Sequence, residues 1–119
     1  MKNVKNRRLL ILVTAFCLFL ASPALAHPPS DIQMKYDNLT QVLSITILHN
    51  VKDPADHYIK SLSIKANEDV LVTLDYTKQQ DKEKQEETFT FSKICKGSKI
   101  TVTAVCNKFG KMERSFEIN

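Results

Sequence analysis

Three histidines and one cysteine carry the metal-ligating chemistry of this 119-residue chain: His27, His49, His57 and Cys106. Neutral imidazole nitrogen and thiolate sulfur are the donor types that hold iron, copper and zinc. A lone histidine at the edge of a strand is usually a solvated polar side chain, and each of the three sits at such an edge. His49 and His57, however, bracket one short loop, Asn50–Asp56, so they are placed to meet at one end of the fold. Ligation requires thiolate and neutral imidazole, and metal affinity is therefore expected to fall as pH drops below about 6.

The elements that must position these groups read as β-strands. From Ile32 onward apolar and polar residues alternate in short runs, the period of half-buried strands. The candidates are Ile32–Tyr36, Gln41–Leu48, Tyr58–Ala66, Val70–Thr77, Thr88–Ile94, Ile100–Val105 and Met112–Ile118. Asp37-Asn38, Asn67-Glu68-Asp69 and Lys96-Gly97-Ser98 supply turn residues between them. Seven short strands with no helical period predict an all-β fold, a seven-stranded immunoglobulin-like antiparallel β-sandwich. With no Trp in the chain, its core must be built from Ile, Leu, Val and Phe, with Phe89, Phe91, Phe109 and Phe116 at the core or its edge. Gln79–Glu87 holds six charged residues of both signs and reads as a solvated hairpin tip.

Lys2, Lys5, Arg7 and Arg8 precede an apolar run from Leu9 to Leu20, which leads into Ala24-Leu25-Ala26. That order, ending in small residues before a cleavage point, is a secretory signal. The run falls short of the roughly 20 apolar residues that span a bilayer. Residues 1–26 are thus expected to be a cleaved signal peptide and 27–119 one periplasmic or secreted domain, free of the membrane. Cleavage removes four of the 17 basic residues and none of the 13 acidic ones. A formally neutral remainder lacks the positive excess that nucleic-acid binding needs.

Two cysteines remain in that domain, and in an oxidising compartment an even pair defaults to a disulfide. If Thr88–Ile94 and Ile100–Val105 form a hairpin, Cys95 and Cys106 lie on the order of 20 Å apart at about 3.3 Å per residue. A disulfide needs Cα atoms within about 7 Å, so Cys106 is expected to be a free thiol.

Three segments resemble one family. His49-Asn-Val-Lys-Asp-Pro-Ala-Asp-His57-Tyr58-Ile59 resembles the His…His-x-Ile loop of superoxide reductases, the iron domain also found in desulfoferrodoxin and neelaredoxin. Cys106-Asn107-Lys108-Phe109-Gly110 resembles that family's Cys-Asn-x-His-Gly motif, and His27-Pro28-Pro29 its His-Val-Pro. The resemblance runs in order along the whole of 27–119 and implies a seven-stranded immunoglobulin-like sandwich. It further implies a mononuclear non-haem iron with four equatorial histidines and one axial cysteine thiolate, reducing superoxide to peroxide. Carried over, His27, His49 and His57 take three equatorial places and Cys106 the axial one. Phe109 stands where the family has its fourth histidine, the loop between His49 and His57 is two residues longer, the Glu-Lys pair before the first histidine is absent, and Met112 replaces an aromatic residue.

The expected function is an exported superoxide-reductase-like iron domain, drawing electrons from another exported redox protein, because this chain carries no Cys-rich iron domain of its own. Two alternatives stand beside it. A histidine made N-terminal by cleavage offers both imidazole and α-amine, an arrangement that suits copper or iron in a binding protein without turnover. The other is a metal-free sandwich serving as an interaction module.

Overall fold

The computed structural model describes residues 26–92 and 94–119; the segment read as an export signal lies outside them except for Ala26. Seven strands follow one another: β1 (Asp31–Asp37), β2 (Val42–Leu48), β3 (Ile59–Ala66), β4 (Asp69–Asp75), β5 (Lys84–Thr90), β6 (Lys99–Cys106) and β7 (Lys111–Glu117). They form two antiparallel sheets, β1-β2-β5 and β4-β3-β6-β7. This is the all-β sandwich the alternation predicted. β4 lies in the larger sheet, whereas the fourth strand of an antibody constant domain joins the first. The cause is local. Asn67 takes a left-handed φ of 54° and turns β4 straight back along β3. Its amide N–H donates to the Lys99 carbonyl and its side-chain oxygen accepts from the Lys99 N–H, which pins that turn to β6.

Period-2 alternation builds the core. In β2 the inward residues are Leu43, Ile45 and Ile47; in β6 they are Ile100, Val102 and Ala104, all buried. Ile59, Leu62 and Ile64 of β3 join them in one cluster, each such side chain contributing about 1.5–3 kcal/mol by leaving water. The rows do not stop where the apolar residues do. One further step along β2 reaches His49, and the last inward residue of β6 is Cys106. The candidate ligands therefore cap the core at one end of the sandwich.

Three expectations are corrected here. Thr88–Ile94 and Ile100–Val105 do not form a hairpin: β5 pairs with β2, β6 pairs with β3 and β7, and the chain crosses between sheets in 91–98. The Phe91 N–H donates to the Gln41 carbonyl, holding the start of that crossing on the first sheet, and Gly97 turns it with a φ of 84°. Both cysteines are nonetheless free, Cys95 exposed and Cys106 buried. Cys95 precedes β6 and Cys106 is its last residue, and the strand's eight residues span about 25 Å at some 3.3 Å each. Second, Gln79–Glu87 is no solvated tip: β5 begins at Lys84, and Gln79 and Gln85 are only 2% and 7% exposed. Third, Phe109 is 64% exposed rather than at the core, because it rides the tip of the β6–β7 turn.

Candidate metal centre

His49 is fully buried. Its N–H donates to the Glu83 carbonyl and that of Val51 to Lys82, so the β2–β5 ladder continues past the strand ends and fixes its backbone. Its ring is held by Gln79. The Gln79 amide nitrogen donates to two carbonyls, His49 at 2.8 Å and Asp81 at 2.9 Å, and its oxygen lies 2.8 Å from His49 Nδ1. The Gln79 N–H also donates to the Pro54 carbonyl, tying the polar segment to the loop between the two histidines.

His57 closes that loop. Asp53 organises it, its carboxylate accepting from the Ala55 N–H and its carbonyl from the N–H groups of Asp56 and His57. Asn107 then clamps the loop to the β6–β7 turn. Its side-chain oxygen accepts from the Tyr58 N–H, its amide donates to the Asp56 carbonyl, and its backbone N–H donates to the Tyr58 carbonyl. The clamp brings His57 Nε2 to 3.1 Å from Cys106 Sγ, and the Lys108 N–H reaches the same sulfur at 3.4 Å. Burial above all, then the neighbouring His49 and His27, push the His57 pKa below its ordinary value. A neutral ring with a free lone pair is what a metal requires.

His27 arrives on the arm before β1. Its Nε2 lies 2.9 Å from the Asn50 carbonyl and its Nδ1 2.9 Å from that of Pro28. A neutral ring has one N–H for these two acceptors, so a metal would displace one of the contacts. Pro28 itself rests on Gly110, and the Ser30 N–H bonds the Leu48 carbonyl; together they fix the arm beside His49.

The donors converge. Ring centroids lie 5.0 Å apart for His27–His49, 5.1 Å for His27–His57 and 4.7 Å for His49–His57, and one nitrogen of each ring falls within 4.8 Å of the others. An ion about 2.1 Å from a nitrogen of each ring would sit some 3.2 Å from the centroids, where these spacings subtend about 95–105°. Three near-equal angles describe one face of a polyhedron, not three corners of the square that the resemblance implies. Two nitrogens on one ion are at most about 4.2 Å apart, so the rings must close by roughly half an ångström. The His57–Cys106 pair already fits: a nitrogen at about 2.1 Å and a sulfur at about 2.3 Å, at right angles on one ion, are about 3.1 Å apart.

All four expected ligands are thus at one end of the sandwich, with Cys106 joined to the three-histidine cluster through His57. Phe109 projects to solvent. The three-histidine group is able to hold a metal ion; its donors do not specify which. Sequence reasoning missed Gln79, which nothing in a run of polar residues distinguishes, and gave no role to Asn107, although the Cys-Asn dipeptide marked it. No protein-family model, curated protein or solved structure matches the chain in comparison.

Proposed function

We propose that residues 27–119 form an exported, superoxide-reductase-like domain in which His27, His49, His57 and Cys106 hold one non-haem iron. The observation that supports this reading is the 3.1 Å approach of Cys106 Sγ to His57 Nε2 beside two further imidazoles, on the segments that resemble the family's motifs. Ferrous iron held there would supply the one electron that, with two protons, converts superoxide to hydrogen peroxide. The chain's own groups prepare that chemistry. The Cys106 sulfur is buried and accepts the Lys108 backbone N–H, which fixes its position beside the imidazoles. Neutral His57 offers its lone pair, and Asn107 keeps these two donors adjacent. Phe109 offers no fourth imidazole, so His27, His49, His57 and Cys106 would be the residues of this motif set that hold the iron. The electron comes from a separate exported redox protein.

The test is to load the processed protein with ferrous iron without oxygen, then oxidise it. A thiolate-to-ferric charge-transfer band that vanishes in Cys106→Ser, together with superoxide consumption that releases no oxygen, is expected. Iron at less than one equivalent, or a spectrum indifferent to Cys106, rejects the iron site.

The exposed Phe109 also favours a second reading, a copper-binding protein without turnover, because three imidazoles alone suit copper(II), the tightest binder of nitrogen donors. A chelate through the α-amine and Nδ1 of His27 would have to break the 2.9 Å contact between Nδ1 and the Pro28 carbonyl. Copper at one equivalent, insensitive to Cys106→Ser and weakened by one residue added before His27, would select it. No stoichiometric metal leaves a sandwich interaction module.

A further inference from the structure

Among the described residues, Gln79 is the one fully satisfied, buried polar side chain that touches a candidate ligand without being one. Its orientation is not free. Both carbonyls beside its amide nitrogen, those of His49 and Asp81, can only accept. The nitrogen must therefore face them, and the oxygen must face His49 Nδ1 at 2.8 Å. An oxygen there can only accept, so Nδ1 carries the proton. In the neutral ring Nε2 is then bare, and the His27 carbonyl that lies 3.3 Å from it is another acceptor. Two lone pairs facing each other beside a fully buried ring form a place that a cation relieves.

We propose that Gln79 is a positioning residue that imposes the Nδ1–H tautomer on His49 and so makes Nε2 its ligand atom. This deepens the metal-site reading and rests on it for its purpose, though not for its first test. Metal-ligating histidines commonly donate their second ring N–H to an oxygen that fixes tautomer and ring plane, and losing that partner costs 10–100-fold in affinity. Here the partner is an amide whose own direction is set by two backbone carbonyls. Without it, His49 would turn its proton to Nε2, where the His27 carbonyl stands ready to accept, and the ligand lone pair would be blocked.

Long-range proton–nitrogen correlation spectra of the metal-free protein at about pH 8, well above the ordinary histidine range, read the tautomer directly. The wild type should show His49 Nδ1 protonated and Nε2 bare. Gln79→Met should move the proton to Nε2 and weaken binding of the metal, added as ferrous iron or as copper, by 10–100-fold. Gln79→Glu keeps an acceptor at Nδ1 while losing both bonds to the carbonyls; it should lower stability yet keep Nδ1 protonated and affinity within about tenfold of wild type. A purely structural Gln79 would make affinity follow stability in both variants, and that result overturns the proposal. So does a wild-type ring protonated at Nε2, whether or not the Met variant folds. A wild type with the expected tautomer that binds no metal would instead sink the metal reading and leave the assignment of Gln79 standing.

Discussion

Pro28 packs against the bare Cα of Gly110: a Cβ placed on that glycine would come within 2.9 Å of Pro28 Cβ and 3.4 Å of Cγ. Gly110 also has a φ of 78°, and its carbonyl accepts the Cys106 N–H to close the β6–β7 turn. One residue thus shapes the turn that carries Cys106 and receives the arm that carries His27. Gly110→Ala is expected to cost about 1–3 kcal/mol through the left-handed backbone alone, and to displace Pro28 besides. Chemical denaturation gives the first effect. Metal titration of the still-folded variant gives the second, and affinity unchanged despite lost stability would show that the arm does not help build the site.

The Asn107 clamp predicts a different balance. Asn107→Ala removes two side-chain hydrogen bonds, to Tyr58 and Asp56, at a cost of roughly 1–3 kcal/mol, and releases the His57 loop from the Cys106 turn. The Lys108–Asp56 ion pair at 3.3 Å spans the same gap but is exposed, and such pairs contribute little. Lys108→Ala should therefore leave stability within about 0.5 kcal/mol of wild type. Equal losses in the two variants would assign the joint to charge rather than to the amide.

Cysteine chemistry separates the two ends of β6. Cys95 is exposed and Cys106 is 3% exposed, so a thiol reagent should modify Cys95 at once and Cys106 only through opening of the fold, roughly tenfold slower or more. Bound metal should protect Cys106 further and leave Cys95 unaffected. Mild oxidation of the folded protein should produce no internal disulfide, since the two thiols flank a strand far longer than a disulfide spans. Modification at equal rates would place Cys106 outside the buried site.

What the sequence disclosed follows from which interactions are local. Alternation in β2 and β6 is written in consecutive residues, so the strands, the inward rows and the class of fold were legible. Because those rows run on to His49 and Cys106, so was the end of the sandwich where the ligands gather. The partner of β5 was not, since pairing with β2, from Leu48–Lys84 to Val42–Thr90, is far from local and leaves no mark beside Lys96-Gly97-Ser98, where the turn chemistry is as good for a crossing as for a hairpin. Gln79 was hidden for the same reason. Its burial depends on carbonyls of His49 and Pro54, more than twenty residues earlier, while its sequence neighbours are all polar. Phe109 misled through composition: an aromatic residue reads as core until the turn at Gly110 aims it outward.

Tyr76 allows a test of packing away from the metal centre. Its hydroxyl donates to Glu87 Oε1 at 2.9 Å, and Gln85 Nε2 donates to the same oxygen at 3.3 Å. Half-burial chiefly, with the Glu87 hydrogen bond and charge behind it, raises the Tyr76 pKa above the ordinary phenol value. The protonated form is the one the fold favours, so the stabilisation is complete below about pH 10 and is lost as pH rises beyond it, where the unfolded chain ionises and the native one resists. Tyr76 is expected to ionise late in a tyrosinate absorbance titration of the folded protein. Tyr76→Phe should remove the lagging step and the stability loss above pH 10, while costing roughly 1 kcal/mol at neutral pH. A titration of the folded protein that Tyr76→Phe leaves without a lost late step would mean that the Tyr76–Glu87 bond between the two sheets does not persist in solution.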